Sequence, residues 1–193
     1  RISRAAGLRV IQGPELRTIY LGFDQSRAEL LKSDARGRNP FQDVRVRRAL
    51  YQAIDVEAIK RPVMRGVSWP AGMIVSPALN GAPLGMNARI LPFDPDAARK
   101  LLAEAGYPNG FEIVLTARQG RYLKDREIME ATIGFLGKVG IKVKANYLEP
   151  GVWAQVSEKK GREGIIFPGW SGRDPDLVWY PLLYSGQYQS YYS

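Results

Sequence analysis

Cysteine and histidine are both absent from this 193-residue chain. The lack of cysteine excludes a disulfide framework and a thiolate nucleophile, and it suits an oxidising compartment. The lack of histidine excludes an imidazole base or metal ligand. Zinc, haem and Ser-His-Asp sites therefore lose their usual residues, and we expect no metal and no cofactor. No run of about 18 apolar residues occurs either, so the sequence predicts no transmembrane helix.

The chain has an excess of positive charge, with 28 Lys and Arg against 19 Asp and Glu and a net charge of +9. Such a charge is compatible with nucleic acid, an anionic surface or an acidic ligand. The basic residues are scattered, however, and the densest cluster (Arg45, Arg47 and Arg48) lies opposite an apolar helix face, which is typical of a solvated surface. No RNA- or DNA-binding motif of interleaved aromatic and basic residues is present. We therefore expect no nucleic-acid partner.

Residues 94–115 are predicted to form a helix, a turn and a strand. Asp94 is a favourable N-cap, and Pro95 follows it at the first helical position, where its missing N–H costs nothing. Gly106 ends the helix before a strand at residues 111–115. The alternation continues downstream, with helices predicted at residues 123–139 and 153–160 and strands at residues 141–148 and 165–167. This pattern predicts an α/β fold with a largely parallel sheet and helices on its faces.

Ligands of such open sheets bind beyond the carboxyl ends of the strands. Three loops after predicted strands are therefore candidates for the site, at residues 117–122, 149–153 and 168–176. The first contains Arg118 and Arg121 near the start of the next helix, a position that favours anions. A solvent-exposed basic loop is the alternative interpretation.

The N-terminal part of the chain is predicted to be less regular. Residues 17–23 have the composition of a strand. An amphipathic helix is predicted within residues 39–54, and a second helix, capped by Asp55, at residues 56–60. Residues 67–91 form a long connection that is rich in proline and glycine but too apolar for a free linker.

Several separated motifs carry a family resemblance. Residues 39–50 read NPFQDVRVRRAL and are followed by AID at residues 53–55, while residues 94–111 hold the helix and turn described above and residues 169–176 read GWSGRDPD. In this order, the motifs resemble those of the extracellular solute-binding proteins of the oligopeptide and dipeptide ABC-transporter class, bacterial family 5. The resemblance covers about residues 8–193.

The resemblance implies a lobe of the periplasmic-binding-protein-like fold, class II, with a mostly parallel sheet flanked by helices. Members of this family close two lobes on a peptide or similar solute and deliver it to a membrane permease. We therefore expect residues 1–23 to be a hinge-proximal segment and residues 24–193 to be the C-terminal ligand-binding lobe, truncated before its last helices. The expected partners are a peptide or other small solute, an ABC permease and the N-terminal lobe of the same protein. The expected location is periplasmic, or extracellular with a lipid anchor.

The resemblance also implies where the solute binds. In peptide-binding relatives, a carboxylate after the Gly-Trp-Ser/Thr-Gly motif holds the α-amino group of the ligand, and a basic residue after the strand that corresponds to residues 111–115 can hold its carboxylate. Here Arg173 directly follows the motif and Asp174 comes next. Either Asp174 takes the amine role, or Arg173 makes the pocket prefer an anionic or polyol group. The expected ligand-binding residues are Trp170, Ser171, Gly172, Arg173, Asp174, Arg118 and Arg121.

Other roles for these residues stay open. Trp170 is either the floor of a pocket or ordinary packing. Asp176 is expected to cap a helix at residues 177–183. We expect no enzymatic activity, because the chain lacks a nucleophile elbow, a phosphate-binding loop and a metal motif. The alternative functions are a carboxylate-dependent hydrolase that uses Asp174, Asp176 or Glu149, and an anion-binding module driven by the net charge.

Overall fold

The computed structural model describes residues 7, 9, 11, 13, 15–79, 82, 85, 88–159, 161–187, 189 and 190. Residues 1–6, 8, 10, 12 and 14 of the predicted hinge-proximal segment, and residues 191–193 of the predicted lobe, lie outside this described part. The strands are β1 (Arg17–Ile19), β2 (Gly22–Phe23), β3 (Glu112–Arg118), β4 (Lys142–Leu148), β5 (Ile165–Phe167) and β6 (Gly169–Ser171). The helices are α1 (Val44–Ala53), α2 (Val56–Lys60), α3 (Pro95–Glu104), α4 (Asp125–Gly137), α5 (Pro150–Glu158) and α6 (Asp176–Leu183), and a 3-10 turn covers Pro40–Gln42.

The main sheet has the strand order β2-β5-β3-β4. Strand β3 runs parallel to both β4 and β5, and only the short edge strand β2 is antiparallel. The prediction that three strands near residues 111–115, 141–148 and 165–167 share one mostly parallel sheet is therefore confirmed. Because these strands run parallel, the loops that follow them leave from one edge of the sheet.

A second, two-stranded sheet pairs β1 with β6. The single strand predicted at residues 17–23 is therefore wrong, since the chain divides at Tyr20 and Leu21 between the two sheets. The loop predicted at residues 168–176 is also wrong in its first part, because it contains β6. Only Pro168 separates β6 from β5, so the two sheets are joined directly beside the carboxyl edge of the main sheet.

The predicted helix at residues 94–105 is confirmed together with its cap. Asp94 Oδ1 accepts hydrogen bonds from the backbone N–H groups of Asp96 (3.1 Å) and Ala97 (2.9 Å). Asp55 caps α2 in the same way, through Glu57 and Ala58. Helix α5 begins at Pro150, earlier than predicted, so most of the candidate loop at residues 149–153 is helical. Proline fits this first turn because its missing N–H has no partner to lose there.

Two turns at the amino ends of β3 and β4 are packed against each other. Gly110, between α3 and β3, has φ +71°, and a Cβ placed on it would lie 1.9 Å from the carbonyl oxygen of Gly140. Gly140, between α4 and β4, has φ +91°. Two backbone segments can approach this closely only because neither residue carries a side chain.

The helices cover both faces of the main sheet. On one face, Ile113, Leu115 and Ala117 of β3 pack into a core that also contains buried residues of α1, α3 and α4. On the other face, Trp153 of α5 packs against Ile166 of β5. None of the helices in the described part of the chain combines the length and the apolar character that crossing a membrane requires.

The long connection at residues 67–91 is irregular where it is described, as predicted, and Arg89 fixes its end. The guanidinium of Arg89 donates to the carbonyl oxygens of Tyr51 (2.5 Å), Ile54 (2.6 Å) and Leu91 (3.2 Å) and lies 4.4 Å from the ring centroid of Tyr51. The bonds to Tyr51 and Ile54 satisfy carbonyls at the end of α1 that have no intrahelical partner. The connection is thereby held on the first helix.

Candidate functional site

Strand β6 is the centre of the candidate site, and β1 pairs with only one of its edges. The register places Arg17 opposite Ser171, Thr18 opposite Trp170 and Ile19 opposite Gly169. Just before β6, Tyr20 N donates to Pro168 O at 3.1 Å. Hydrogen-bonded and non-bonded pairs alternate in an antiparallel ladder. Gly169 and Ser171 therefore direct their backbone N–H and C=O groups away from β1.

Tyr122 binds the backbone of Gly169 on this second edge. The hydroxyl of Tyr122 accepts a hydrogen bond from Gly169 N at 2.7 Å and donates one to Gly169 O at 3.2 Å. A Cβ on Gly169 would lie 2.9 Å from the Tyr122 ring, so the glycine makes room for the phenol. The loop after β3 is in this way attached to the start of β6.

On the same edge, the backbone of Ser171 has no hydrogen-bond partner among the residues that the structure describes, and Ser171 is exposed at the end of the strand. Its N–H and C=O point to the side on which Tyr122 binds Gly169, because residues two apart in a strand share an edge. An extended ligand backbone could add to this edge as a further strand.

Two arginine side chains lie beside Tyr122, next to this edge of β6. Arg17 lies with its guanidinium carbon 5.6 Å from the centroid of the Tyr122 ring, and Arg121 lies 5.8 Å from the same centroid. Glu15 forms an ion pair with Arg17 at 3.1 Å, so part of that charge is neutralised. Two arginines thus lie beside Tyr122, at the end of this edge where β6 begins.

The loop that carries Arg121 and Tyr122 has a fixed backbone. Asp125 Oδ2 accepts hydrogen bonds from Arg121 N at 2.7 Å and from Tyr122 N at 3.1 Å, and its position in the first turn of α4 also suits the helix dipole. A hydrogen bond from Lys124 lowers the pKa of Glu127 in that turn. Two carboxylates therefore occupy the amino end of α4, which makes it a poor anion site by itself.

Arg118 lies within the candidate loop predicted at residues 117–122, but the structure places it as the last residue of β3. It is half-buried, and its Nε atom is buried without a hydrogen-bond partner in the described structure. Leu148 at the end of β4 is its partner in the ladder. Arg118 therefore lies at the carboxyl edge of the sheet, on a different strand from β6.

Trp170 packs away from the face of β6 that carries Ser171. It is half-buried against a small apolar cluster that includes Val178 and Leu182 of α6. Its indole Nε1 donates to the carbonyl oxygen of Leu177 at 2.9 Å. Ordinary packing, the second of the two interpretations made from the sequence, describes these contacts.

The residue that caps the start of α6 is not Asp176, which the sequence predicted for this role. Asp176 is the first residue of α6, and the preceding N-cap position is Pro175, which has no side-chain cap. The carboxylate that meets the helix start is Asp174, whose Oδ1 accepts from Asp176 N at 2.8 Å. The predicted cap at Asp176 is therefore wrong, because the aspartate two residues earlier reaches the free N–H in an Asx-type turn.

The two exposed charges of this turn have different surroundings. Asp174 is exposed and holds the turn, whereas Arg173 is exposed and forms no hydrogen bond or ion pair with any residue in the described ranges. Gly172 lies against α6, since a Cβ there would be 3.0 Å from Leu177 Cβ. Arg173 thus extends from a turn whose backbone is fixed on both sides.

Ser171, Arg173 and Asp174 lie on β6 and its following turn, and Arg121 lies beside Tyr122, which binds the start of β6. The structure adds two residues to these, Tyr122 and Arg17, that the sequence did not single out. Tyr122 and Arg17 were missed because they depend on pairings between distant parts of the chain. The signal that could have found them is Gly169, a glycine at the start of a strand, which often marks the close approach of another group.

A family model matches residues 1–192, and it describes the middle part of family 5 of the bacterial extracellular solute-binding proteins. The glutathione-binding protein GsiB of Escherichia coli (strain K12) is 32% identical over 146 residues, covering 74% of this chain and 28% of GsiB.

Two solved structures resemble this fold at similar identity. The dipeptide binding protein from Pseudoalteromonas sp. SM9913, in complex with Met-Leu, has a TM-score of 0.75 and 28% identity, covering 94% of this chain and 34% of that protein. The binding protein AgaA from A. tumefaciens R10, in complex with agropinic acid, has a TM-score of 0.69 and 26% identity, covering 89% of this chain and 33% of AgaA. The chain thus spans about a third of the length of these relatives.

Proposed function

The chain belongs to family 5 of the bacterial extracellular solute-binding proteins, and from this membership we propose that it is one lobe of a receptor that captures a peptide or related small solute for an ABC importer. The receptor delivers its solute to a membrane permease and works in the periplasm, or outside the cell on a lipid anchor. The family is one of binding proteins, which favours capture over the hydrolase alternative. Residues 24–193 form the C-terminal lobe, entered through residues 1–23.

The observation that carries the proposal is the open edge of β6 at Ser171, with arginines beside it. Main-chain hydrogen bonds to a free strand edge supply affinity for an extended peptide without regard to its side chains. Neighbouring charged groups then select the termini of the ligand. This arrangement suits a short peptide better than a rigid, non-peptidic molecule.

The charges around the edge favour a ligand that carries a carboxylate. Arg173 has no partner in the described structure, Arg121 lies beside Tyr122, and a guanidinium binds a carboxylate through two parallel hydrogen bonds. Asp174 supplies an exposed carboxylate for an ammonium group, and Arg118 and Gly172 complete the lining. Glutathione, Met-Leu and agropinic acid, the ligands named for the three relatives, all carry a carboxylate.

Methylation of the ligand's amide nitrogen tests the strand-edge part of the proposal. In the full-length receptor, Met-Leu methylated at its peptide nitrogen should bind at least tenfold more weakly than Met-Leu, because the methyl group removes a donor and blocks approach to the edge. Calorimetry with both dipeptides measures the difference. The matched control is the dipeptide of Met and α-methyl-leucine, which carries the same extra methyl group on carbon and keeps both the amide N–H and the carboxylate. Equal affinity of the N-methylated and parent peptides would contradict addition to β6.

Removal of Arg173 tests the ligand class. The change Arg173→Ala should weaken binding of the preferred carboxylate ligand, chosen from Met-Leu, glutathione and agropinic acid, at least tenfold, or about 1.4 kcal/mol. The reason is the loss of a charge-assisted contact in a cleft that excludes water. Arg48→Ala is the control, since Arg48 is an exposed arginine on the outer face of α1. Unchanged affinity in a folded Arg173→Ala receptor would remove Arg173 from the site.

A further inference from the structure

Helix α6 contains a proline in its interior, at Pro181. In a regular α-helix the N–H of residue 181 would donate to the carbonyl of residue 177, four positions earlier. Proline has no N–H, so it cannot donate to the carbonyl of Leu177. Leu177 is 56% exposed, so its carbonyl either turns to water or accepts from another group of the protein.

The indole of Trp170 supplies a hydrogen bond to this same carbonyl. Trp170 Nε1 donates to Leu177 O at 2.9 Å, and the ring packs in the apolar cluster with Val178 and Leu182. The donor lies on β6, and the acceptor and the proline lie on α6. The missing backbone bond of the helix is in this way replaced by a bond to the strand.

The contact also fixes the turn between these two elements. Gly172 is packed so closely on α6 that a Cβ would lie 3.0 Å from Leu177 Cβ and 3.1 Å from Val178 Cγ2. Asp174 Oδ1 accepts from Asp176 N, which joins the other end of the turn to the helix. The position of Arg173 therefore depends on how β6 and α6 are held together.

We propose that Trp170 and Pro181 are a matched positioning pair. Pro181 cannot donate to the carbonyl of Leu177, and the indole of Trp170 donates to it instead. This hydrogen bond holds β6 and the turn that carries Arg173 against α6. Neither side chain touches the solute. The proposal rests on the proposed function, because it assigns the pair its effect on solute affinity. A direct ligand contact by Trp170 is the competing role.

A second substitution that restores the hydrogen bond to Leu177 O distinguishes a positioning role of Trp170 from direct contact with the solute. Trp170→Phe keeps an aromatic ring but removes the donor, and Pro181→Ala gives helix α6 its own donor to Leu177 O. In the full-length receptor we expect Trp170→Phe to weaken Met-Leu binding about fivefold when Pro181 is present and less than twofold in the Pro181→Ala background. This inequality is expected only if the two residues act on one carbonyl.

The matched control is Trp69→Phe, because Trp69 is 65% exposed on the long connection. Its effect on Met-Leu affinity should be small and independent of Pro181. An equal loss for Trp170→Phe in both backgrounds would show that the indole contacts the ligand, and no loss in either would show that the bond does not position the site. Both results overturn the proposal.

A measurement without ligand keeps the two proposals distinguishable. If the receptor binds none of the three probes, the proposed function fails, and the pair is then tested by thermal unfolding. Trp170→Phe should lower Tm more in the Pro181 background than in the Pro181→Ala background. Equal decreases in Tm would overturn the pairing, whatever the ligand proves to be.

Discussion

The change Gly110→Ala should lower the free energy of unfolding by about 2 to 5 kcal/mol. The left-handed backbone at φ +71° costs a residue with a side chain about 1 to 2 kcal/mol, and a Cβ 1.9 Å from Gly140 O forces two backbone turns apart, an overpacking that costs about 1 to 3 kcal/mol more. The atom that must move belongs to the backbone, so no side-chain rotation relieves the contact. Urea denaturation followed by circular dichroism measures the change.

Gly66→Ala is the matched control for this prediction. Gly66 has φ +78°, nearly the same backbone conformation, but a Cβ there would meet no atom within 4 Å. Its substitution should cost only the backbone contribution of about 1 to 2 kcal/mol. If the two variants lose equal stability, the close approach to Gly140 contributes nothing, and the turn conformation alone explains the glycine.

The second large effect concerns solute affinity. On the proposed function, residues 1–193 alone should bind Met-Leu at least a hundredfold more weakly than the full-length receptor, a difference of about 2.7 kcal/mol. Binding sites of this kind bury most of the ligand surface, and one lobe can cover only one side of it. Strand β6 offers a single edge, and an edge that stays open to water exchanges one set of hydrogen bonds for another with little net gain.

Calorimetry with the same Met-Leu solution on both proteins decides the matter, with circular dichroism as the check that the shorter chain is folded. Equal affinities would show that the other lobe is dispensable for capture. Such a result would also require every strong contact to come from residues 1–193. Arg173 and Arg121 would then contribute a larger share of the binding free energy.

Sequence patterns predicted the elements whose causes are local. The helix after Asp94 depends on its cap, on Pro95 and on apolar residues at helical spacing, all within a dozen positions. The parallel strands followed from alternation with helices. Strand β6 was missed because it has only three residues, one of them glycine, which is too few to show the alternation of apolar and polar residues that is typical of a strand. The pairing with β1 that makes them a strand comes from a segment about 150 positions away.

The candidate site was predicted in part for the same reason. Arg173 and Asp174 were proposed from a contiguous motif, and their role stays a prediction. The roles of Tyr122 and Arg17 arise only when the loop after β3 and the strand β1 meet β6 in space. The capping error at Asp176 has a smaller cause, since a side chain two positions before a free N–H can reach it as well as one directly preceding the helix.

The pairing of β1 with β6 has a consequence for biosynthesis. Ile19 and Gly169 are partners although almost the whole described chain lies between them. During translation, β1 leaves the ribosome long before β6 exists, and contacts of such sequence separation form slowly because a long loop must close. The nascent chain can assemble its main core from α1, α3 and β3 while Arg17–Ile19 still has no strand to pair with. On the proposed function, the edge of β6 that would receive the solute is therefore completed only after residues 169–171 have been synthesised and β1 has paired with them.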